Sequence, residues 1–262
     1  HSKIAACFWN VSDVALSYLR VEHNSANRRK LMARYLVIGG GSGIGEALTK
    51  NLLAKDHDVS ILCRTDPLIP EATYHSCDVT KDTFPVLEGN YNGLAYCPGS
   101  INLKPLRQLT IEDFQGDFEI NCLGAVRAVK AYLSLLQGGH AASMVFFSTV
   151  AVQKGMAFHT SIAAAKGAVE GMARSLAAEL SPEVRVNCIA PSLTKTPLSK
   201  PLMRRQELLE QRHPLKRLGE PGEIAAMAAF LLSEESEIMV LSFCMRFCQE
   251  KKTAAKYKDR GA

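Results

Sequence analysis

The order of apolar and polar positions changes regularly along residues 32–240. Short apolar runs of strand length alternate with longer stretches in which apolar residues recur at helical spacing. The runs that indicate strands cover residues 34–38, 59–63, 73–76, 93–97, 143–147 and 185–189. The stretches that indicate helices include residues 44–55, 111–136, 161–180 and 221–232. Such alternation predicts parallel strands joined by crossover helices. We therefore expect an α/β fold, a single domain whose doubly wound parallel sheet carries helices on both faces.

The two ends of the chain do not follow this alternation. Residues 1–31 have no clear place in it, and an added helix, upstream sequence and an expression remnant all stay open as explanations. Residues 241–262 begin apolar and end as a charged tail that we expect to fray. The sequence therefore predicts an N-terminal extension at 1–31, one folded domain at 32–240 and a divergent C-terminal tail at 241–262.

Charge is concentrated at the ends of the chain. The net charge of the 262 residues is +5. Residues 1–31 hold five Lys/Arg against two Asp/Glu, and residues 241–262 hold six against two, so the remaining segment holds 20 against 22 and is slightly acidic. A basic groove for nucleic acid is therefore not indicated. No apolar run reaches the roughly 18 residues that a membrane span needs, so we expect no membrane partner.

The cysteines do not form a recognisable metal or disulfide framework. Eight are scattered along the chain, several of them inside apolar runs, which is typical of reduced core thiols. Cys244 and Cys248 have helical spacing, but no His or second Cys pair lies near them in the sequence. We therefore expect no metal site, and the absence of a recognisable secretory signal favours a cytoplasmic protein.

A glycine cluster separates the first predicted strand from the first predicted helix in "YLVIGGGSGIGEALTKNLL". Small residues at this place allow a tight turn, close approach of a pyrophosphate and close packing of helix on strand. The start of the helix then directs free N–H groups at the phosphates. The turn therefore predicts a Rossmann-type dinucleotide site. Its candidate cofactor-binding residues are Gly39, Gly41, Ser42, Gly43, Ile44 and Gly45.

The end of the second strand bears on the choice of cofactor. Here the sequence reads "SILCRTD", so Arg64 occupies the corner where NAD sites usually have an acid. A guanidinium forms charge-assisted hydrogen bonds with a 2′-phosphate, whereas a carboxylate repels it. We therefore favour NADP(H). NAD(H) stays possible through Asp66, and Arg64 can also be read as an ordinary exposed arginine at a strand end.

Several motifs, in order, resemble the short-chain dehydrogenase/reductase family over about 32–237. They are "IGGGSGIG", "CDVT", "YCPGS", "INCLGA", "FFSTVA", "RVNCIAPSLTKTPL" and "LKRLGEPGEIA". The chain departs from the family in "YCPGS", where the family has Asn-Asn-Ala-Gly, and after residue 237, where its usual last strand is not recognisable. The resemblance implies further cofactor-binding residues at Asp78, Val79, Gly99, Lys166, Pro191 and Thr196.

The same resemblance implies a catalytic group with one member replaced. In the family, a tyrosine exchanges a proton with the substrate oxygen, a lysine four residues later binds the nicotinamide ribose, a serine polarises the carbonyl, and an asparagine orders a water and the helix. Lys166, Thr149 (with Ser148 beside it) and Asn121 match three of these. The tyrosine position is Ile162, which has no proton to transfer. His159 is a possible surrogate acid because it titrates in the right range.

These features together predict an NADP(H)-dependent oxidoreductase that interconverts a carbonyl and an alcohol of a small molecule by hydride transfer. The alternative is a non-catalytic NADP(H)-binding protein, because loss of a general acid costs about 10²- to 10⁴-fold in rate. The family resemblance also implies a homodimer or homotetramer, whose dimer would form through the helices at about 111–136 and 161–180.

Overall fold

The computed structural model describes residues 32–81, 83–213, 215–239 and 243–244. The predicted extension at 1–31 and most of the predicted tail at 241–262 lie outside the described residues. Their predicted boundaries stay predictions, and the architecture below is that of the described segment.

The strands form one parallel sheet in the order β3-β2-β1-β4-β5-β6-β7. The strands are β1 (Arg34–Ile38), β2 (Asp58–Cys63), β3 (Thr73–Ser76), β4 (Gly93–Tyr96), β5 (Ala142–Phe147), β6 (Val184–Ile189) and β7 (Phe243–Cys244). Ile38 pairs with Leu62 on one side and with Tyr96 on the other. The strand order reverses between β1 and β4, and in open α/β sheets a ligand crevice lies at such a switch point.

Seven α-helices connect or follow the strands within the described residues. They are α1 (Gly43–Leu53), α2 (Ile111–Phe118), α3 (Gly124–Gln137), α4 (Val150–Lys154), α5 (Thr160–Leu180), α6 (Gln206–Arg212) and α7 (Pro221–Leu232). A π turn at Glu119–Leu123 joins α2 to α3.

Apolar side chains pack on both faces of the sheet. On one face, α3 and α5 contribute small and branched residues such as Ala128, Val129 and Ala173. On the other face, α1 and α7 contribute residues such as Leu48 and Ala228. Because the parallel strands are covered on both sides, they read as nearly continuous apolar runs in the sequence. The predicted doubly wound sheet with helices on both faces is therefore confirmed.

The predicted elements match the observed ones to within two residues at their ends, with two differences. The predicted helix at 111–136 contains the π turn, which changes the helical phase in its middle. At the C-terminal end, the sequence did not show whether a last strand forms. The structure has a two-residue strand there, in which Phe243 pairs with Cys188 and Cys244 with Ile189.

Candidate active site

The glycine turn between β1 and α1 leaves no room for side chains at its tightest points. Gly39 and Gly43 have φ angles of +75° and +56°, in the region that favours glycine. A β-carbon added at Gly45 would lie 2.1 Å from the carbonyl oxygen of Gly39. Ser42 is the N-cap of α1 and its side chain makes no capping hydrogen bond. Free backbone N–H groups at the start of an eleven-residue helix suit a phosphate.

The ends of β2 and β3 border this turn. A β-carbon added at Gly41 would lie 2.9 Å from Cys63 Sγ, so the turn packs directly on the end of β2. Arg64 follows as an exposed residue. Asp78 accepts hydrogen bonds from the Thr80 side chain (2.7 Å) and backbone (3.0 Å). These bonds lower the pKa of Asp78, and the charge of Arg64 adds a smaller effect in the same direction.

Three further predicted cofactor contacts, Val79, Pro191 and Thr196, lie in the loops after β3 and β6. Val79 is buried, and its carbonyl accepts hydrogen bonds from Arg127. The carbonyl of Pro191 accepts a hydrogen bond from the backbone N–H of Val150 at 3.2 Å. Thr196 Cβ lies 3.3 Å from a β-carbon added at Gly43, so the loop after β6 touches the glycine turn.

Lys166 projects from α5 into the core at the carboxyl end of β5. Its Nζ donates a hydrogen bond to the Phe147 carbonyl at 2.7 Å. The same Nζ lies 3.5 Å from a β-carbon added at Gly99. Burial lowers the pKa of Lys166 from 10.5 to about 8. A cation with this pKa can lose or gain a proton near neutral pH.

Ser148 and Thr149 follow β5 directly, and their hydroxyl groups have different partners. Ser148 Oγ donates to Glu170 Oε1 at 2.7 Å, one turn beyond Lys166 on α5. Thr149 Oγ1 accepts from the Ala151 backbone N–H at 3.3 Å and so caps α4. Ser148 is buried and Thr149 is partly exposed. Thr149 is therefore the better placed of the two to meet a substrate.

Asn121 lies in the π turn with its side-chain amide fixed on one side. Its Nδ2 donates to Ser100 Oγ (2.9 Å) and to the Asp117 carbonyl (2.7 Å). Its Oδ1 is buried without a hydrogen-bond partner and lies 3.0 Å from a β-carbon added at Gly99. A buried acceptor without a partner is costly, which fits a site that a ligand or water completes. The glycine turn, Lys166 and this acceptor together fit a bound nicotinamide dinucleotide.

Ile162 lies one helical turn before Lys166 and is 4% exposed. His159 is the N-cap residue of α5, and its Nδ1 lies 2.8 Å from the Ala157 carbonyl oxygen. The His159 ring thus has a local backbone partner in the turn before the helix. Ile162 faces the core beside Lys166, as their spacing predicts.

The apolar cavity beside α7 is separate from these residues. It has a volume of about 420 Å³, and its lining includes Leu193, His213, Leu218 and Phe230 but none of the catalytic candidates. The cavity is therefore distinct from the crevice near Lys166. Within the described residues, no helix is long and apolar enough to cross a bilayer, and no cluster of three potential metal ligands is present.

Comparison with known proteins identifies the family. Residues 40–242 match a family model described as enoyl-(acyl carrier protein) reductase. A 3-oxoacyl-[acyl-carrier-protein] reductase, MabA of Mycobacterium tuberculosis, is 31% identical over 211 residues, which cover 77% of this chain and 85% of that protein. Carbonyl reductase family member 4 of Xenopus laevis is 30% identical over 212 residues, with 75% and 89% covered. The chain belongs to the short-chain dehydrogenase/reductase family.

Solved structures agree with this assignment. A short chain dehydrogenase family protein from Francisella tularensis has a TM-score of 0.75 at 28% identity, covering 80% of this chain and 96% of that one. An aldohexose dehydrogenase from Thermoplasma acidophilum has the same TM-score of 0.75 at 21% identity, covering 82% and 92%, and shows the shared fold. The Rossmann-type architecture and the carbonyl/alcohol oxidoreductase class of this short-chain dehydrogenase/reductase follow from these relatives.

The motifs did not reveal the polar cluster that Asp117 forms near Asn121. Asp117 is fully buried and accepts hydrogen bonds from Ser100 Oγ, Asn102 Nδ2 and Ser161 Oγ. Tyr96, in the eroded "YCPGS" motif, donates to the Ile120 carbonyl at 2.6 Å and fills the space above Gly124. The spacing of Asp117 and Asn121, four residues apart on one predicted helix, was the sequence signal for a shared polar face.

Proposed function

We propose that this protein is an NADP(H)-dependent reductase or dehydrogenase that interconverts a small-molecule carbonyl and its alcohol. The observation that carries the proposal is the convergence of the buried Lys166 ammonium with Gly99 and the unpartnered Asn121 Oδ1 next to the glycine turn. Bound NADP(H) supplies or accepts the hydride. The residues of the chain bind the cofactor, orient the carbonyl and manage the proton.

Each catalytic candidate has a role that its surroundings support. Lys166 hydrogen-bonds the nicotinamide ribose. It is also the proton donor one helical turn from Ile162, which has no proton to give, and burial lowers the Lys166 pKa to about 8. The Thr149 hydroxyl donates a hydrogen bond to the carbonyl oxygen of the substrate. Asn121 Oδ1 accepts a hydrogen bond, either from the ribose of the cofactor or from a water bound beside it. His159 is the alternative proton donor, because the bond between its Nδ1 and the Ala157 carbonyl leaves Nε2 to donate.

The preference for NADP(H) over NAD(H) rests on Arg64. Its exposed guanidinium follows β2, which ends against the glycine turn at Cys63. Asp66, the residue that keeps NAD(H) possible, accepts a hydrogen bond from the Leu68 backbone N–H at 2.8 Å. That local bond holds the carboxylate in its own turn, which favours Arg64 as the reader of the ribose substituent.

The second candidate function is non-catalytic NADP(H) binding, and Ile162 is the observation that favours it. A branched alkyl group at this buried position removes the general acid of the family and leaves the cofactor-binding residues intact. In that case the protein is a cofactor-responsive partner or subunit, and Lys166 serves the ribose alone.

A homodimer or homotetramer in the cytoplasm completes the proposal. A groove of about 490 Å³ between the segment Phe114–Leu123 and α5 is lined by Phe118, Leu123 and Ala164, among others. Phe118 and Leu123 are 39% and 38% exposed and give this groove part of its apolar lining. Sedimentation velocity of the parent and of Leu123→Glu tests this, because a charge in an apolar interface should shift the protein towards monomer.

The experiment that tests the function is a cofactor titration followed by turnover. Purified protein is titrated with NADPH and NADH by fluorescence, and NADPH oxidation is then followed with a panel of ketones, aldehydes and 3-oxoacyl thioesters. NADPH binding with turnover of at least one carbonyl supports the reductase. Tight NADPH binding without any turnover favours the binding protein, and absence of binding contradicts both.

A further inference from the structure

Asp117 is a buried acid that the predicted catalytic group does not include, and its charge raises the pKa of Lys166. It lies on α2, is 0% exposed, and its side chain accepts three hydrogen bonds. Ser100 Oγ and Asn102 Nδ2 donate to Oδ1 at 2.5 and 3.0 Å, and Ser161 Oγ donates to Oδ2 at 2.5 Å. Three donors and no acceptor suit a carboxylate anion. The carboxylate thus links the loop after β4, α2 and the first turn of α5.

The donors and acceptors between Asp117 and Asn121 determine how the Asn121 amide is oriented. Ser100 Oγ gives its single proton to Asp117, so the same oxygen is an acceptor for Asn121 Nδ2 at 2.9 Å. Both protons of the Asn121 amide are then used, since the other goes to the Asp117 backbone carbonyl. The Oδ1 atom is therefore turned towards Gly99 and the Lys166 side of the crevice.

We propose that Asp117 is a positioning residue of this site: its carboxylate fixes the amide of Asn121 through Ser100, so that Asn121 Oδ1 points to the Gly99 and Lys166 side of the crevice, and its negative charge favours the protonated form of Lys166. This inference rests on the proposed function for its catalytic meaning. The orientation of Asn121 and the charge on Lys166 are nevertheless properties of the free protein that can be measured without turnover.

Burial lowers the pKa of Lys166, and three acidic groups act against it through their charge: Cys188 from β6, Cys97 from the end of β4 and Asp117 from α2. The thiols have this effect only when ionised. Burial raises the pKa of both Cys97 and Cys188 to about 12. They are therefore neutral near pH 8, and Asp117, whose carboxylate accepts three hydrogen bonds, is the remaining acid that acts on Lys166.

The first test is the titration of Lys166 in ligand-free protein labelled with ¹³C-lysine. The Lys166 Cε resonance is assigned by its absence in Lys166→Met, and its midpoint is compared in the parent, Asp117→Asn and Asp117→Glu. We expect Asp117→Asn to lower the midpoint by about half a pH unit or more, and Asp117→Glu to restore most of that shift. Asp113→Asn, one turn earlier on α2, is the matched control and should leave the midpoint unchanged. An unchanged midpoint in Asp117→Asn overturns the charge role.

The second test addresses orientation and does not depend on Asp117→Asn being folded. Ser100→Ala removes the hydroxyl that accepts from Asn121. We expect the side-chain amide protons of Asn121 to exchange with solvent at least about tenfold faster, because one of their two buried bonds is lost. Unchanged exchange overturns the orienting role. If both tests succeed and no carbonyl is reduced, the positioning role stands and the proposed enzymatic function fails.

Discussion

The carbonyl oxygen of Gly39 occupies the space that any side chain at Gly45 would need. The 2.1 Å separation from an added β-carbon is far inside van der Waals contact, and the obstacle is backbone that cannot rotate away. The start of α1 is therefore fixed against the end of β1, which holds the first-turn N–H groups where a pyrophosphate can meet them.

Gly45→Ala should abolish this close approach. We expect a loss of NADPH affinity of at least about tenfold and a destabilisation of about 1–3 kcal/mol from overpacking. The measurements are cofactor titration and urea unfolding. Gly116→Ala is the matched control, because a β-carbon there meets nothing within 4 Å. On α2 it should be neutral or stabilise by up to about 1 kcal/mol. Equal behaviour of the two variants would contradict the steric role of the turn.

Arg64→Asp should reverse the cofactor preference. The parent is expected to bind NADPH several-fold more tightly than NADH, because the guanidinium pairs with the 2′-phosphate. The aspartate repels that phosphate and accepts a hydrogen bond from the ribose hydroxyl of NADH. Dissociation constants for both cofactors measure the effect. Arg107→Asp, another exposed arginine, should leave the ratio unchanged, and equal affinities in the parent would remove the basis for the NADP(H) assignment.

Ile162→Tyr should create a general acid beside Lys166. Because the two positions are one turn apart, with Ile162 buried and Lys166 partly buried, we expect a phenol at 162 to come close to the ammonium and to Thr149. We expect carbonyl reduction to rise about tenfold or more for some simple substrate, below the full range of about 10²- to 10⁴-fold because the pocket was not shaped for a ring. NADPH affinity should change little.

The control for this prediction is His159→Ala in the parent protein. If it abolishes a measurable activity while Ile162→Tyr adds none, His159 is the proton donor and Lys166 is not. If neither variant turns over any carbonyl but both bind NADPH tightly, the non-catalytic function is correct.

Lys166 should make stability depend on pH in the alkaline range. Its folded pKa of about 8 lies below the ordinary 10.5, so between these values the unfolded chain binds more protons than the folded one. The stability of the parent relative to Lys166→Met should therefore rise with pH from about 8 towards 10.5, by at most about 3 kcal/mol. Denaturant unfolding at pH 6 to 10 measures this difference. The difference in unfolding free energy between the parent and Lys166→Met should not change with pH below about pH 7. A difference that decreases above pH 8 would contradict the effect of burial on Lys166.

A chain that begins at Met32 should retain cofactor binding. The predicted domain boundary lies here, and every cofactor-binding candidate lies C-terminal to it. We expect unchanged NADPH affinity and a cooperative thermal transition. Insoluble protein would show that residues 1–31 are needed for the core, whereas soluble protein without binding would show that they complete the site.

The sequence predicted the strands and long helices because each has one dominant periodicity. The glycine turn was predictable because only glycine satisfies its backbone. The Asp117 cluster was not, because it joins side chains from residues 100, 117 and 161, which come together through tertiary packing. The difference in burial and hydrogen-bond partner between Ser148 and Thr149 could not be predicted either. The two residues are adjacent at the end of a strand, and the sequence does not show which way each of them faces. Ile162 could be singled out from the sequence alone, because the family resemblance predicts a tyrosine at that position.

The π turn at Glu119–Leu123 also sets a limit on changes of chain length. It accommodates one more residue than an α-helical turn, so the polar face that carries Asp117 and Asn121 and the apolar face that follows from Ala125 differ in phase by one residue. Deleting a single residue within this turn would convert it to an ordinary α-helical turn, so Ala128 and Tyr132 would keep their places against the sheet. Deleting a residue within the regular helix α3 would instead rotate everything downstream of the deletion by about 100° and turn part of its apolar face away from the sheet. We therefore expect a one-residue deletion to be tolerated better in Glu119–Leu123 than in Gly124–Gln137.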